Sequence, residues 1–179
     1  MNTVRKTAVL CSIAALCSPA LLSLALFTSA QTVGGDAILP TPAAAKALPD
    51  AVFFAGQSAN TQLRNAAGIH FTDGAYTLAV LVDTSGYSTA VQQKYQGYLI
   101  TEAPLDFGGH HLVPGAYGFG FVASHFLVMD IGNHDLFQAD ATHDAQMQHP
   151  RPMQIVAGSS PGDYHLCSGR DCTSFHRAK

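Results

Sequence analysis

"GAYGFGFVASHFLVMDIG", residues 115–132, decides how this chain folds. Tyr117, Phe119 and Phe121 alternate with Ala116, Gly118, Gly120 and Val122. That spacing of two puts three aromatic rings on one side of an extended strand and leaves the other side almost bare. "HFLVMDIG" (125–132) follows as a second short run. A bare strand face admits another backbone, an aromatic ring or a ligand at close range. The Gly118/Gly120 side therefore has two readings, close packing in the core or the contact surface of a binding protein.

The same texture continues on both sides. "GAYTLAVLVDT" (74–84) alternates, with Tyr76, Leu78, Val80 and Val82 on one face. "YQGYLITEA" (95–103), "MQIVAG" (153–158), "DYHLCS" (163–168) and "DCTSFH" (171–176) are further short runs, and "AVFFAG" (51–56) and "LRNAAGIHF" (63–71) are less regular ones. Short apolar runs punctuated by Gly, Pro, Asn and Asp indicate an all-β domain, an antiparallel β-sandwich or partly open barrel. One short helix is expected between Thr89 and Tyr95. There Thr89 and Gln92 form a capping-box pair, and Val91 and Tyr95 share one face.

The domain is expected to occupy residues 51–179. Residues 1–30 have a short basic start with Arg5 and Lys6, a long apolar run and small residues Thr28 and Ala30 before Gln31. This is the pattern of a secretory signal peptide, with a retained membrane anchor as the rival reading. Residues 31–50, rich in Ala, Pro and Gly without a sustained period, read as a flexible leader. Loss of Arg5 and Lys6 moves the formal charge from −3 to −5. A mildly acidic exported domain has no electrostatic footprint for nucleic acid or anionic lipid. After signal cleavage no stable membrane insertion is expected.

Cys167 and Cys172 remain in "YHLCSGRDCTSF" (164–175), on two strand-like arms around the turn Ser168-Gly169-Arg170-Asp171. In that hairpin they face each other, within disulfide reach, and an oxidising compartment would bridge them. The same register puts His165 opposite Ser174. A redox-active or metal-binding pair is disfavoured by the four intervening residues and by the lack of a following helix start.

"APLDFGGHHLVPGAYGFGFVASHFLVMDIGNHDLF" (103–137) resembles small exported bacterial β-domains of unknown function. These carry a "GG-x-x-LPAG-x-Y" hairpin. The matching residues are Pro104, Asp106, Phe107, Gly108, Gly109, Leu112, Pro114, Gly115 and Tyr117, with Val113 and Pro114 standing where the family has Pro and Ala. The resemblance spans roughly a fifth of the chain. It implies a secreted β-sandwich-like domain and carries no activity.

Motifs for chemistry are sparse. "GSSPG" (158–162) fits G-x-S-x-G, but an oxyanion hole there would need the N–H of Pro161, which has none. A hairpin turn is the better reading. No dinucleotide fingerprint or phosphate loop is present, and the scattered aspartates assemble no carboxylate pair. Histidine is the anomaly: there are nine, all beyond the signal. His110 and His111 are adjacent and point to opposite faces of a strand, after a turn at Gly108-Gly109.

The densest donor cluster lies in "NHDLFQADATHDAQMQHPRPM" (133–153). If "ADATHDAQMQ" winds into a short helix, Asp140, His143, Asp144 and Met147 share one face, with His149 just past its end. Imidazole with thioether or carboxylate suits copper or zinc. The alternative is a polar connection between strands. The leading expectation is thus a secreted or periplasmic, non-catalytic binding or structural module without a cofactor, whose partner is a protein or small molecule. A copper- or zinc-binding accessory protein is the second reading. Catalysis would require His and Asp side chains to converge at one end of the sheet.

Overall fold

The structure is a computed structural model that describes residues 35–178. The signal-peptide reading of residues 1–30 lies outside the described residues. In chain order the strands are β1 (Ala37–Leu39), β2 (Ala51–Phe54), β3 (Gln57–His70), β4 (Tyr76–Val82), β5 (Gly97–Thr101), β6 (Leu105–Phe107) and β7 (His110–Leu112). They continue with β8 (Gly115–Val122), β9 (His125–Met129), β10 (Asp135–Asp140), β11 (Thr142–His143), β12 (Arg151–Ala157), β13 (Asp163–Gly169) and β14 (Asp171–Arg177). Two short helices, α1 (Thr41–Ala47) and α2 (Thr89–Gln92), complete the described elements.

The strands form two antiparallel sheets that do not close into a barrel. The first runs β1-β3-β4-β5-β8-β9-β10, with β2 paired to one end of the long β3. The second runs β12-β13-β14-β6-β7, with β11 on β14. The β6–β7 hairpin leaves the first sheet after β5 and returns to it at β8. The all-β sandwich expected from the short alternating runs is what forms.

Alternation explains how the sheets pack. Tyr117 and Phe119 from β8 join Phe126 and Val128 of β9, Phe107 of β6, Met153 and Ile155 of β12 and Phe175 of β14 in the core between the sheets. The first sheet is also covered on its other face. There Leu78, Val80 and Val82 pack with Phe54, Tyr87, Tyr95 and Tyr98, and with Ala44 and Leu48 around α1. Sheets buried on both faces lose the clean apolar-polar alternation, so β4 is apolar at Ala79 and Leu81 as well.

The two glycines of the bare strand face lie under this second layer. A Cβ on Gly118 would run into the ring of Phe54, and one on Gly120 into the carbonyl of Lys94. Close packing is thus the use made of that face, and the ligand-contact reading of Gly118 and Gly120 is corrected. Tyr95, fully buried, stacks on Phe54 with ring centroids 3.8 Å apart and meets Tyr87 edge-on at 5.4 Å. Burial pushes its hydroxyl pKa well above the usual tyrosine value.

Two local expectations change. Residues 37–48 are not a flexible leader: β1 pairs with β3, α1 packs on β3, and Ala44 and Leu48 are buried. The domain therefore begins before Ala51. An alanine-rich helix of one or two turns shows no apolar stripe, because its contact face is made of methyl groups. α2 does start at Thr89, but the Thr89/Gln92 capping box does not form. The Gln92 amide instead donates back to the carbonyls of Ser85 and Tyr87.

The Cys hairpin forms in the expected register. Cys167 opposes Cys172 and is disulfide-bonded to it, with Cα atoms 4.1 Å apart, and His165 opposes Ser174. Gly169 takes the left-handed conformation at the turn, φ +61°. "GSSPG" is a turn between β12 and β13, closed by hydrogen bonds between Gly158 and Asp163 and from Asp163 N–H to the Ser160 carbonyl.

Candidate functional site

The donor-rich segment does not become a helix. β10 runs straight through Asp140, then Thr142 and His143 pair with Cys172 and Asp171 as β11. The next turn is held by Arg170. Its Nη1 reaches the carbonyls of Asp144, Ala145 and Met147 at 3.2, 3.0 and 2.7 Å. An isolated helix of about ten residues is marginal in water, and these ladder and guanidinium contacts outcompete it. The shared helical face of Asp140, His143, Asp144 and Met147 is thereby corrected.

Each of those side chains has its own surroundings. His143 Nδ1 lies 2.7 Å from Asp171 Oδ1. Asp140 is exposed opposite His125, and its carbonyl accepts from the Thr173 hydroxyl. Asp144 Oδ1 accepts from the Gln146 N–H. The Met147 sulfur accepts from the Gln154 amide at 3.0 Å. His149 points elsewhere, into a cleft described below. Among the described residues no group of three or more His, Cys, Asp or Glu side chains is arranged to hold a metal ion.

A convergence of His and Asp does occur on the outer face of the second sheet. His176 opposes Asp106 on one side and Asp163 on the other, and His165 opposes Ser174 beside them. They line a hollow of about 300 Å³ between the turns at 108–109 and 158–162. Asp106 Oδ1 is occupied by the Gly109 N–H, and no hydrogen bond joins either imidazole to a carboxylate or to Ser174 among the described residues. The base-orienter and nucleophile-base contacts of a catalytic constellation are therefore not in place.

A second concavity, larger than this hollow, lies at the seam of the sandwich, where the β1/β3 edge of the first sheet meets β12 of the second. Its volume is about 430 Å³, within the range that holds a small organic ligand. Ala66, Ala67, Met153 and Ile155 form a buried apolar floor, Ile38 and Leu39 line one wall, and His149 and Arg151 stand at the other. Both walls are irregular at this point. The β3–β4 register shifts between Thr61 and Ala66, and the β12–β13 register shifts between Arg151 and Gln154. Such bulges re-aim side chains and loosen pairing. Pro152 keeps β12 an edge strand because it has no N–H to offer a further neighbour. Alanines at 66 and 67 leave the space that larger residues would fill.

Electrostatics at the seam are lopsided. The lining contains Arg151 and His149 and no acid. Most other cations of the described residues are engaged: Lys94 with Asp135, Arg177 with Asp73, Arg170 with its three carbonyls. Arg151 is exposed and makes no ion pair among the described residues. Further along the same seam, the Tyr164 hydroxyl donates to Asp36 Oδ2 at 2.8 Å and latches the start of β1 to the second sheet. Burial, and then the bond to that carboxylate, push the phenol up to about 12.

In the sequence His149 belongs to the metal-donor cluster, whereas Ile38, Ala66, Ala67 and Arg151 belong to no motif. The signals in hindsight are the small pair Ala66-Ala67 and the Pro-Arg-Pro run at 150–152. No family model, curated protein or solved structure matches the chain.

Proposed function

We propose that this chain is an exported, non-catalytic β-domain that works as a binding module and takes the apolar body of a small molecule into the seam cleft. One observation carries the reading: a cleft with a buried apolar floor is left open where both facing strands lose register. Export is supported by the Cys167–Cys172 disulfide, which suits an oxidising compartment. Among the described residues no helix is long and apolar enough to cross a membrane. A secreted or periplasmic location is the reading that joins these features to the signal-like first thirty residues.

Methyl NMR tests the cleft. Titration with 1-decanol should shift the methyl signals of Ile38, Met153 and Ile155 and leave those of Leu127 and Met129, in the other core, in place. Uniform shifts, or none, would refute the cleft.

One feature favours the copper or zinc reading of the 140–149 segment. Asp171 fixes Nδ1 of His143, the arrangement by which carboxylates orient metal-ligating imidazoles. Met147, His149, Asp140 and Asp144 would then have to complete the shell by rearrangement of an exposed turn. Calorimetric titration with Cu(II) and Zn(II) decides it: binding weaker than about 10 μM, or unaltered in His143→Ala, removes this reading.

A further inference from the structure

We infer that the cleft ligand is an amphipathic carboxylate whose apolar body lies on the Ala66–Ala67–Met153–Ile155 floor and whose acid group meets Arg151 at the mouth. The inference rests on the cleft being a binding site and adds the chemistry of the occupant. Two observations favour an anion. The mouth holds a guanidinium and an imidazole and no carboxylate, in a chain that carries more acids than bases. Arg151, like Lys46 and Arg64 but unlike Lys94, Arg170 and Arg177, makes no ion pair or side-chain hydrogen bond among the described residues, and of those three it is the one that lines the cleft. Its planar fork matches a carboxylate by two parallel hydrogen bonds. His149, exposed beside it, offers one further donor.

The apolar part follows from the floor. Met153 and Ala66 are almost fully buried, while Ile38 on the rim is 39% exposed. The floor is already dry, so the apolar surface a ligand would remove from water is that of the rim, Ile38 first, and removal of apolar surface is what drives such binding. A headgroup alone would leave that surface wet. An uncharged chain would leave Arg151 unused.

Calorimetry with three probes of one chain length tests the inference: decanoate, 1-decanol and decyltrimethylammonium. Decanoate should bind about tenfold more tightly than decanol, the effect of one charge-assisted pair at a partly exposed site. Arg151→Gln should bring decanoate down to the decanol level and leave decanol unchanged. Ile38→Ala, at a rim position 39% exposed, should weaken both while thermal unfolding checks that the fold is kept.

If neither decanoate nor decanol binds, the cleft itself is not a ligand site. If both bind equally and Arg151→Gln changes nothing, the cleft stands and the anionic class falls. Preferential binding of the ammonium probe would also overturn it. So would a dimer in the unliganded protein that Ile38→Asp dissociates, since a second copy of the chain would then be the occupant.

Discussion

The two long edges of the sandwich are built from the same kinds of strand and close in opposite ways. At the β10 edge, Phe107 lies against Phe126, Phe137 and Phe175 with ring centroids 5.1, 6.0 and 5.2 Å away, and His110 stacks flat on Phe137 at 4.9 Å. Rings from five strands fill the seam. At the β1/β12 edge the facing residues are Ala66, Ala67 and Ile38 against Met153 and Ile155, and both walls carry register shifts. That seam stays open and, among the described residues, is bridged by the hydrogen bond from Tyr164 to Asp36. The difference teaches that side-chain volume on the facing edges, not strand count, decides whether a sandwich of this kind has a cleft. On the proposed reading, closure serves stability and the opening serves binding.

The strongest way to break the contrast is at the closed edge. Phe107→Ala should cost about 3–5 kcal/mol, because a buried ring at the centre of three others leaves a cavity that cannot collapse. Urea denaturation measures it. A loss below about 1 kcal/mol would mean that the aromatic seam is not what holds this edge.

Arg170→Met acts on the turn that leads into the open edge. Removing the donor to the carbonyls of Asp144, Ala145 and Met147 should cost about 2 kcal/mol at the ordinary worth of such bonds. Hydrogen exchange should then speed up at Thr142, His143 and Met147 and not at β8. Unchanged exchange would show that β11 pairing alone fixes the segment.

Tyr164→Phe removes the latch of the open edge while keeping the ring. The expected cost is about 1 kcal/mol, with faster exchange confined to the amides of β1. The raised phenol pKa sets the alkaline behaviour. A hydroxyl whose pKa is higher folded than unfolded contributes fully below the unfolded value near 10 and loses that contribution as pH rises through about 12. The wild type should therefore lose stability relative to Tyr164→Phe only in that range.

The smallest effect concerns the Asp73–Arg177 pair, which ties the β3–β4 turn to the end of β14. Arg177 holds the exposed Asp73 carboxyl down at about 2 from 3.8. A depressed carboxylate contributes above its unfolded pKa and loses that contribution as pH falls through the folded one. Between pH 3.8 and about 2 the wild type should show a slight extra loss of thermal stability that Asp73→Asn lacks. Because both groups face water, salt should erase the difference.

Legibility followed the range of the deciding interactions. The Cys hairpin, the Gly158–Gly162 turn and the aromatic side of β8 were readable because period-two alternation and turn residues act over a few positions. Residues 37–48 were not, since α1 is recognisable only once β3 lies beneath Ala44. The helical reading of 140–147 failed because Arg170, more than twenty residues away in sequence, takes the carbonyls a helix would use. The cleft was the least legible feature of all. Its walls come from β1, β3 and β12, and no local pattern links Ile38 and Ala66 to Arg151. Only its individual marks, a small pair on β3 and prolines on β12, are present in the chain.

Photolabelling tests the central claim, that the open seam is the ligand site, most directly. A decanoate carrying a diazirine at mid-chain should, on irradiation with the folded protein, label peptides containing Ile38, Ala66–Ala67 and Met153–Ile155, and unlabelled decanoate should compete it away. Labelling that maps to the outer face of the second sheet around His165 and His176, or that resists competition, would contradict the account.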